Sequence, residues 1–300
     1  MSSNTTGGAV GSIAGLWRFP VKSMQGEQLQ EIELTANGVL GDRAYALIDT
    51  DTGRVVSAKS VKLFPNILAC RATFVTPPQS GAAMPPVIIT LHDGTTVRSD
   101  APDIDRVLSA HFKRNVRLSR AAPADFTIDQ YHPDVEGADP GGNRDKVAAQ
   151  PLGSALFAAI GQISPVPPGS FLDVFPMSVL TTATLDRLNE LQPQSRFDER
   201  RFRMNVIIKT EQTGFVENEW LGRELALGQG ARLAVTWPDP RCVMTTLAQE
   251  GLPKDTDVLR ALVQHNKQQV STLAEFPCAG VYAVVAAPGK LRIGDGVTLG

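Results

Sequence analysis

From Ile13 onward the chain breaks into short β-rich segments, IAGLWRF, LQEIELT, RAYALID, RVVSAK, ILACRATFV and VIITL. Turn signals punctuate them at Asn37-Gly38, Asp49 to Gly53, Pro77-Pro78 and Asp93-Gly94. Segments this short, broken this regularly, are too brief for helices and fit an antiparallel sheet or small barrel. Asp103 to Phe112 changes to helical periodicity, and Val116 to Leu118 returns to a strand pattern. A first domain over residues 13–120 follows. Ahead of it, MSSNTTGGAVGS is small and polar and reads as a disordered lead-in.

From 121 to 170 the pattern weakens. Glycine and proline crowd into GADPGGNRD and SPVPPGS, which predicts a long surface connection with one helical turn around Ser154 to Ile160. Over residues 171–300 order returns. Thr181 to Leu191 is an expected helix with Leu185, Leu188 and Leu191 on one face, and RFRMNVIIK an expected buried strand. ELALGQGARLAVTW reads as a hairpin turning at Gly228 and Gly230, Thr256 to Gln269 as a helix, and GVYAVV and PGKLRIGDGVTL as closing strands. The fold class is mainly β with packed helices, α+β.

The chemistry concentrates in PDPRCVMTTLAQEG, Pro238 to Gly251. Pro238 and Pro240 cannot donate to a strand ladder, so they are expected to end the LAVTW strand at Trp237. Arg241 and Cys242 would then sit on a stiff loop, where the arginine favours the thiolate, the form that ligates metals or attacks substrates. Three other stretches carry concentrated polarity. FPVKSMQG places Lys22 and Ser23 after a strand. GDRAYALID places Asp42 and Arg43 at a strand start. RFRMN sets Arg203 and Asn205 two apart, on one face of a strand. If Lys22, Arg43, Arg203 and Arg241 converge on the thiol, they form an anion pocket suited to phosphate. His132 and His265 are candidate proton donors, with a solvated surface histidine the favoured reading for both.

A net charge of −2 argues against nucleic acid as the main partner. Cys70, Cys242 and Cys278 are odd in number and widely spaced, which fits a reducing compartment. No apolar run is long enough to cross a bilayer, so the expected location is cytoplasmic, with no membrane partner.

On FPVKS, the Asp42-Arg43 pair, FRMN (Phe202 to Asn205), PRCVMTT (Pro240 to Thr246) and the closing GDGVTL, the chain resembles the MOSC superfamily over nearly its full length. The resemblance is to the branch with an N-terminal β-barrel domain, which includes the mitochondrial amidoxime-reducing component and its bacterial counterparts. It implies an N-terminal MOSC-associated β-barrel-like domain, then a C-terminal MOSC β-barrel domain. It also implies a molybdenum cofactor (Mo-molybdopterin), with Cys242 giving its thiolate to the metal. Lys22, Ser23, Arg43, Arg203, Asn205 and Arg241 match positions that hold the pterin and its phosphate, and Asp173 lies near them. A soft thiolate suits a sulfur-rich metal centre. The chain departs from these relatives at Val174 and Phe175, where a threonine-serine pair helps hold the cofactor, and at Pro240, where a serine can occur.

The implied activity is reduction of small N-hydroxylated compounds: amidoximes, hydroxylamines and N-hydroxylated bases. With no cysteine cluster of a ferredoxin-like domain, the electrons are expected from a separate protein, a ferredoxin, a cytochrome b5-like protein or a flavin reductase. Two alternatives stand beside this: a cofactor carrier or sulfur-transfer protein working through Cys242, and a non-catalytic binding module with a buried cysteine.

Overall fold

Seven strands close into a barrel in a computed structural model that describes residues 7–270 and 274–300. Around the barrel run Met177–Thr181, Val206–Lys209, Gly8–Arg18, Gly296–Leu299, Glu224–Leu227, Ala231–Pro240 and Ala274–Ala287, which pairs back onto the first. The first strand of the chain thus lies between two strands of its second half. A register shift between Ile13 and Gly15 adds a residue, so Ile13 and Leu16, three apart, both turn inward. They join Val179, Val206, Ile208, Leu233, Val281 and Val297 in an interior almost closed to solvent. Each such side chain contributes about 1.5–3 kcal/mol by leaving water.

Beside the barrel, Arg71–Phe74, Val87–Thr90 and Thr96–Arg98 form a small antiparallel sheet, and Ala46–Asp49 pairs with Val116–Ser119. These strands share a core with Val21, Tyr45, Phe64 and the helix Ile104–Phe112. Five α-helices occur among the described residues, so the mainly β architecture holds.

Several local expectations are corrected. Of the supposed lead-in, Gly8 to Ser12 are strand, and residues 1–6 lie outside the described residues. RVVSAK forms only an isolated bridge, Ile48 to Val55. Thr256 to Gln269 is not one helix: it ends at His265, and Lys267–Val270 pairs as a strand with Ala274–Pro277. The strand at Trp237 does not stop there. It runs to Pro240 because register shifts on either side of Pro238 absorb the missing donors. Gly280 makes this possible on the partner strand: at φ +81, any Cβ would sit 2.5 Å from the Val179 carbonyl oxygen.

RFRMNVIIK is likewise not one strand. Asp198 accepts a hydrogen bond from the Arg200 backbone N–H and caps the short helix Glu199–Phe202. Arg203 ends it in the left-handed conformation, and the strand begins only at Val206. Arg203 and Asn205 therefore do not share a strand face.

The 121–170 stretch is no loose connection. Thr127–His132 pairs with Lys146–Pro151 in a six-pair hairpin, followed by the helix Ser154–Ala159. Phe126, Ile128 and Leu152 pack on Ala46, Ile48 and Val55 of the N-terminal part. Phe157 packs on Trp237 of the barrel, ring centres 5.7 Å apart. Both sides clamp the hairpin over the barrel mouth.

Candidate active site

The loop that carries Cys242 is held from below. Arg201, fully buried, donates from Nη1 to the carbonyls of Thr245 (3.2 Å) and Leu247 (3.3 Å), and from Nη2 to Pro253 (2.9 Å). Thr245 Oγ1 donates to the Cys242 carbonyl at 3.0 Å, and Thr246 Oγ1 to that of Val243 at 2.8 Å. Both threonines are buried, so the paired threonines of this stretch wind it into the 3-10 turn Val243–Thr246. Cys242, extended and half-buried, begins that turn and faces a cavity.

This cavity, of about 100 Å³, is lined by all the residues singled out in the sequence: Lys22, Ser23, Arg43, Asp173, Arg203, Asn205, Arg241 and Cys242. Three elements meet there. After the first barrel strand the chain turns inward, tied by the Lys22 backbone N–H to the Tyr45 carbonyl (2.8 Å). The Asp42-Arg43 turn and the Arg203 helix end close on it from two sides. Ser23, Arg43 and Arg203 all have positive φ and make up three of the five non-glycine residues of this kind among the described residues. Such backbone costs roughly 1–3 kcal/mol per residue and collects where function needs it.

Arg43 and Arg203 lie over the ring of Phe19, their guanidinium carbons 4.5 and 4.3 Å from its centre. Arg43 pairs with Asp42, whose Oδ1 accepts from the Phe19 backbone at 2.7 Å. Arg203 donates to the Met24 carbonyl at 2.8 Å. The Asn205 amide is spent on its neighbours. It donates to Asp42 (2.9 Å) and to the Trp17 carbonyl (3.4 Å), and accepts from the Ser178 backbone (3.3 Å) and hydroxyl (3.1 Å). It therefore joins three elements and orients Asp42, which in turn orients Arg43.

On the opposite wall, Asp173 sits between the ammonium groups of Lys22 and Lys59. Burial alone would raise its carboxyl, but the two lysines overcome this and hold it far below the usual carboxylate range. Burial draws Lys22 down to about 8, against the pull of Asp173. Arg241 pairs with Asp239 at 2.6 Å and donates to the Phe202 carbonyl at 2.5 Å. Burial works against the Lys59 and Arg241 charges, and each is favoured by a carboxylate and by the Cys242 thiolate. Sequence reasoning missed Lys59, Asp239 and Tyr282, all on this wall. Lys59 stands in a short polar run, SAKS, with nothing to set it apart from a surface lysine.

Five cationic side chains thus line the cavity, against Asp173 and Asp239 on its wall and Asp42 behind Arg43. Two positive charges are left over with Cys242 as a thiol, and one with it as a thiolate. Burial and Arg43 disfavour the charge on Arg203, yet a guanidinium does not shed its proton in a protein. The excess matches one phosphate monoester dianion. Arg241 Nε and Asp239 Oδ1 are buried here without a partner. Val174 and Phe175 add apolar wall, with Phe175 stacked on Tyr282 at 5.2 Å. His265 lies in the last turn of a helix and does not line this cavity.

Two family models match most of the chain. A model for the MOSC N-terminal beta barrel domain matches residues 10–111, and one for the MOSC domain matches residues 168–298. The chain belongs to the MOSC superfamily. Among curated MOSC relatives, Mitochondrial amidoxime-reducing component 1 of Homo sapiens is 23% identical over 316 residues, covering 97% of this chain and 83% of that protein. Mitochondrial amidoxime reducing component 2 of Homo sapiens is 25% identical over 319 residues, covering 96% and 83%. A crystal structure of the YUAD protein from Bacillus subtilis overlays 97% of this MOSC chain and 95% of its own, with 11% identity and a TM-score of 0.43. Among the described residues, no helix is long and apolar enough to cross a membrane.

Proposed function

We propose that the chain binds a molybdenum cofactor and reduces N-hydroxylated compounds such as amidoximes and hydroxylamines, with electrons from a separate donor protein. One observation carries this reading: five cations, two buried and three half-buried, share with a half-buried thiol a cavity whose charge excess approaches that of a phosphate monoester. Lys22, Arg43, Arg203 and Arg241 would hold the phosphate and pterin, and Cys242 would ligate the metal. Asn205 and Asp42 position Arg43, and Arg201 holds the loop of Cys242 in place. No cluster of three His, Cys, Asp or Glu side chains occurs among the described residues, so a metal at Cys242 would take its other ligands from the cofactor.

When bound, the cofactor supplies the two electrons that, with two protons, convert an N-hydroxylated compound into its amine or amidine and water. The protein would bind and orient, with the cations of the cavity wall facing the anionic end of the group. The amidoxime-reducing relatives support the same reaction class. The test is expression in a host that makes the cofactor, with molybdenum measured by elemental analysis and benzamidoxime reduction driven by a chemical donor. Cys242→Ala is expected to lose both. If it keeps metal and turnover, the proposal is wrong.

A further inference from the structure

A second cavity, of about 260 Å³, adjoins the cationic one and shares Asp173, Arg241, Cys242 and Tyr282 with it. The hairpin Thr127–His132/Lys146–Pro151 and the helix Ser154–Ala159 supply one side, and the barrel supplies the other. Leu156, Trp237, Val270 and Phe276 form an apolar body suited to a small ring, at the lower end of ligand-pocket sizes. On the hairpin side stands His132.

His132 is not the solvated histidine its sequence context predicts. It is 6% exposed, and its Nε2 is buried with no hydrogen-bond partner. Its other nitrogen, Nδ1, lies 3.7 Å from Asp139 Oδ1. Asp139 is fixed through Oδ2, which accepts from the Asn143 backbone at 2.9 Å and from its side chain at 2.7 Å. A carboxylate thus stands behind Nδ1, while Nε2 is left to something other than protein. An unpartnered buried nitrogen costs roughly 1–3 kcal/mol, and a native fold keeps one where a ligand or water completes it.

We propose that this second cavity is the substrate chamber, and that His132 Nε2 hydrogen-bonds the N-hydroxyl group of the substrate and so holds its N–O bond toward Cys242. The occupant is a compact compound with a flat apolar body and one N-hydroxyl group, of the aryl amidoxime or aryl hydroxylamine kind. This rests on the reductase reading above. Trp237 and Phe276 provide contact for the ring, and an N–OH group can donate to or accept from an imidazole nitrogen. The chamber walls come from the protein alone, and a small turn of the His132 ring would bring the buried Nε2 to their surface, so the chamber binds this class without the cofactor.

The test uses benzamidoxime as probe. In ¹⁵N-histidine-labelled cofactor-free protein, four imidazoles are present, and His132→Gln identifies the signal of His132. Benzamidoxime is expected to shift that signal. In protein from a cofactor-making host, His132→Phe, which keeps a ring but no nitrogen, is expected to raise Kd and KM about tenfold. Molybdenum content should be unchanged and kcat much less affected. His132→Gln, which returns an N–H near Nε2, is expected to recover affinity to within about threefold. The proposal is overturned if the His132 signal does not move, or if His132→Phe binds as tightly as the wild type. The signal shift needs no variant to fold beyond the one used for assignment, and that assignment can also be made by His132→Asn. If the wild type holds molybdenum and reduces benzamidoxime while the signal stays still, only the chamber fails. If the signal shifts but no molybdenum is found, only the reductase reading fails.

Discussion

Lys22 makes the charge excess of the cationic cavity measurable. The residue is 5% exposed, and its ammonium group donates to the Phe171 carbonyl at 2.9 Å and lies 4.9 Å from the ring centre of Phe126. Burial and the neighbouring Lys59 and Arg43 outweigh Asp173 and lower it from 10.5 to about 8. That difference corresponds to roughly 3 kcal/mol by which the native state without an anion disfavours the charged lysine. Below pH 8 both folded and unfolded chains keep the proton and the whole cost is present. It fades as pH rises from 8 toward 10.5, so this group makes the cofactor-free protein more stable with rising pH across that window. A bound dianion would return the lysine to its ordinary range. Anion affinity should therefore be highest below pH 8 and should fall about tenfold between pH 7 and pH 9, with proton uptake on binding rising from about 0.1 at pH 7 toward one at pH 9. Calorimetric titration of sulfate, whose charge is constant across this range, into cofactor-free Cys242→Ser protein measures this without interference from the thiol. Lys22→Gln should bind more weakly and with a flat profile. A wild-type affinity that is flat from pH 7 to 9, or a Lys22→Gln profile that still slopes, would refute the electrostatic account.

Other consequences are equally direct. Arg201→Met removes a buried guanidinium that serves four carbonyls, Arg196, Thr245, Leu247 and Pro253, and should cost about 3–5 kcal/mol in urea unfolding; a loss below 1 kcal/mol would mean that these bonds do not hold the loop. Gly280→Ala puts a Cβ 2.5 Å from the Val179 carbonyl at φ +81, and calorimetry should show a destabilisation of about 2–4 kcal/mol. Phe157→Ala empties the contact between helix and barrel and should cost about 3–5 kcal/mol locally. Hydrogen exchange should then quicken in Thr127–Pro151 while the barrel strands keep their protection.

Local pattern was enough for the hairpin at Gly228 and Gly230, for the helices Ile104–Phe112 and Thr182–Leu191, and for a mainly β chain, because each rests on periodicity and turn residues within one short stretch. It was also enough to nominate Arg241 and Cys242, since a cation beside a thiol is visible in one dimension, while Lys22, Ser23, Arg43, Arg203 and Asn205 were nominated through the motifs that carry the family resemblance. What it lacked was anything set by contacts distant in the chain. KVAAQP has one β-branched residue, and the glycine-rich GADPGGNRD separates it from TIDQYH, so no local signal announces the hairpin; its packing comes from Phe126, Ile128, Leu152 and Phe157, which find apolar partners at Ala46, Ile48 and Trp237. Lys59 and His132 look like surface residues in sequence, yet both are buried once the chain folds. The residues of this chain determine by themselves which charges and which sulfur are available. Only the closed barrel, with its first strand set between late ones and its mouth roofed by the hairpin, decided that five cations meet with too few carboxylates and that one histidine nitrogen is left without a partner. Charge excess and unsatisfied burial are properties of an enclosed volume, and a linear sequence encloses none.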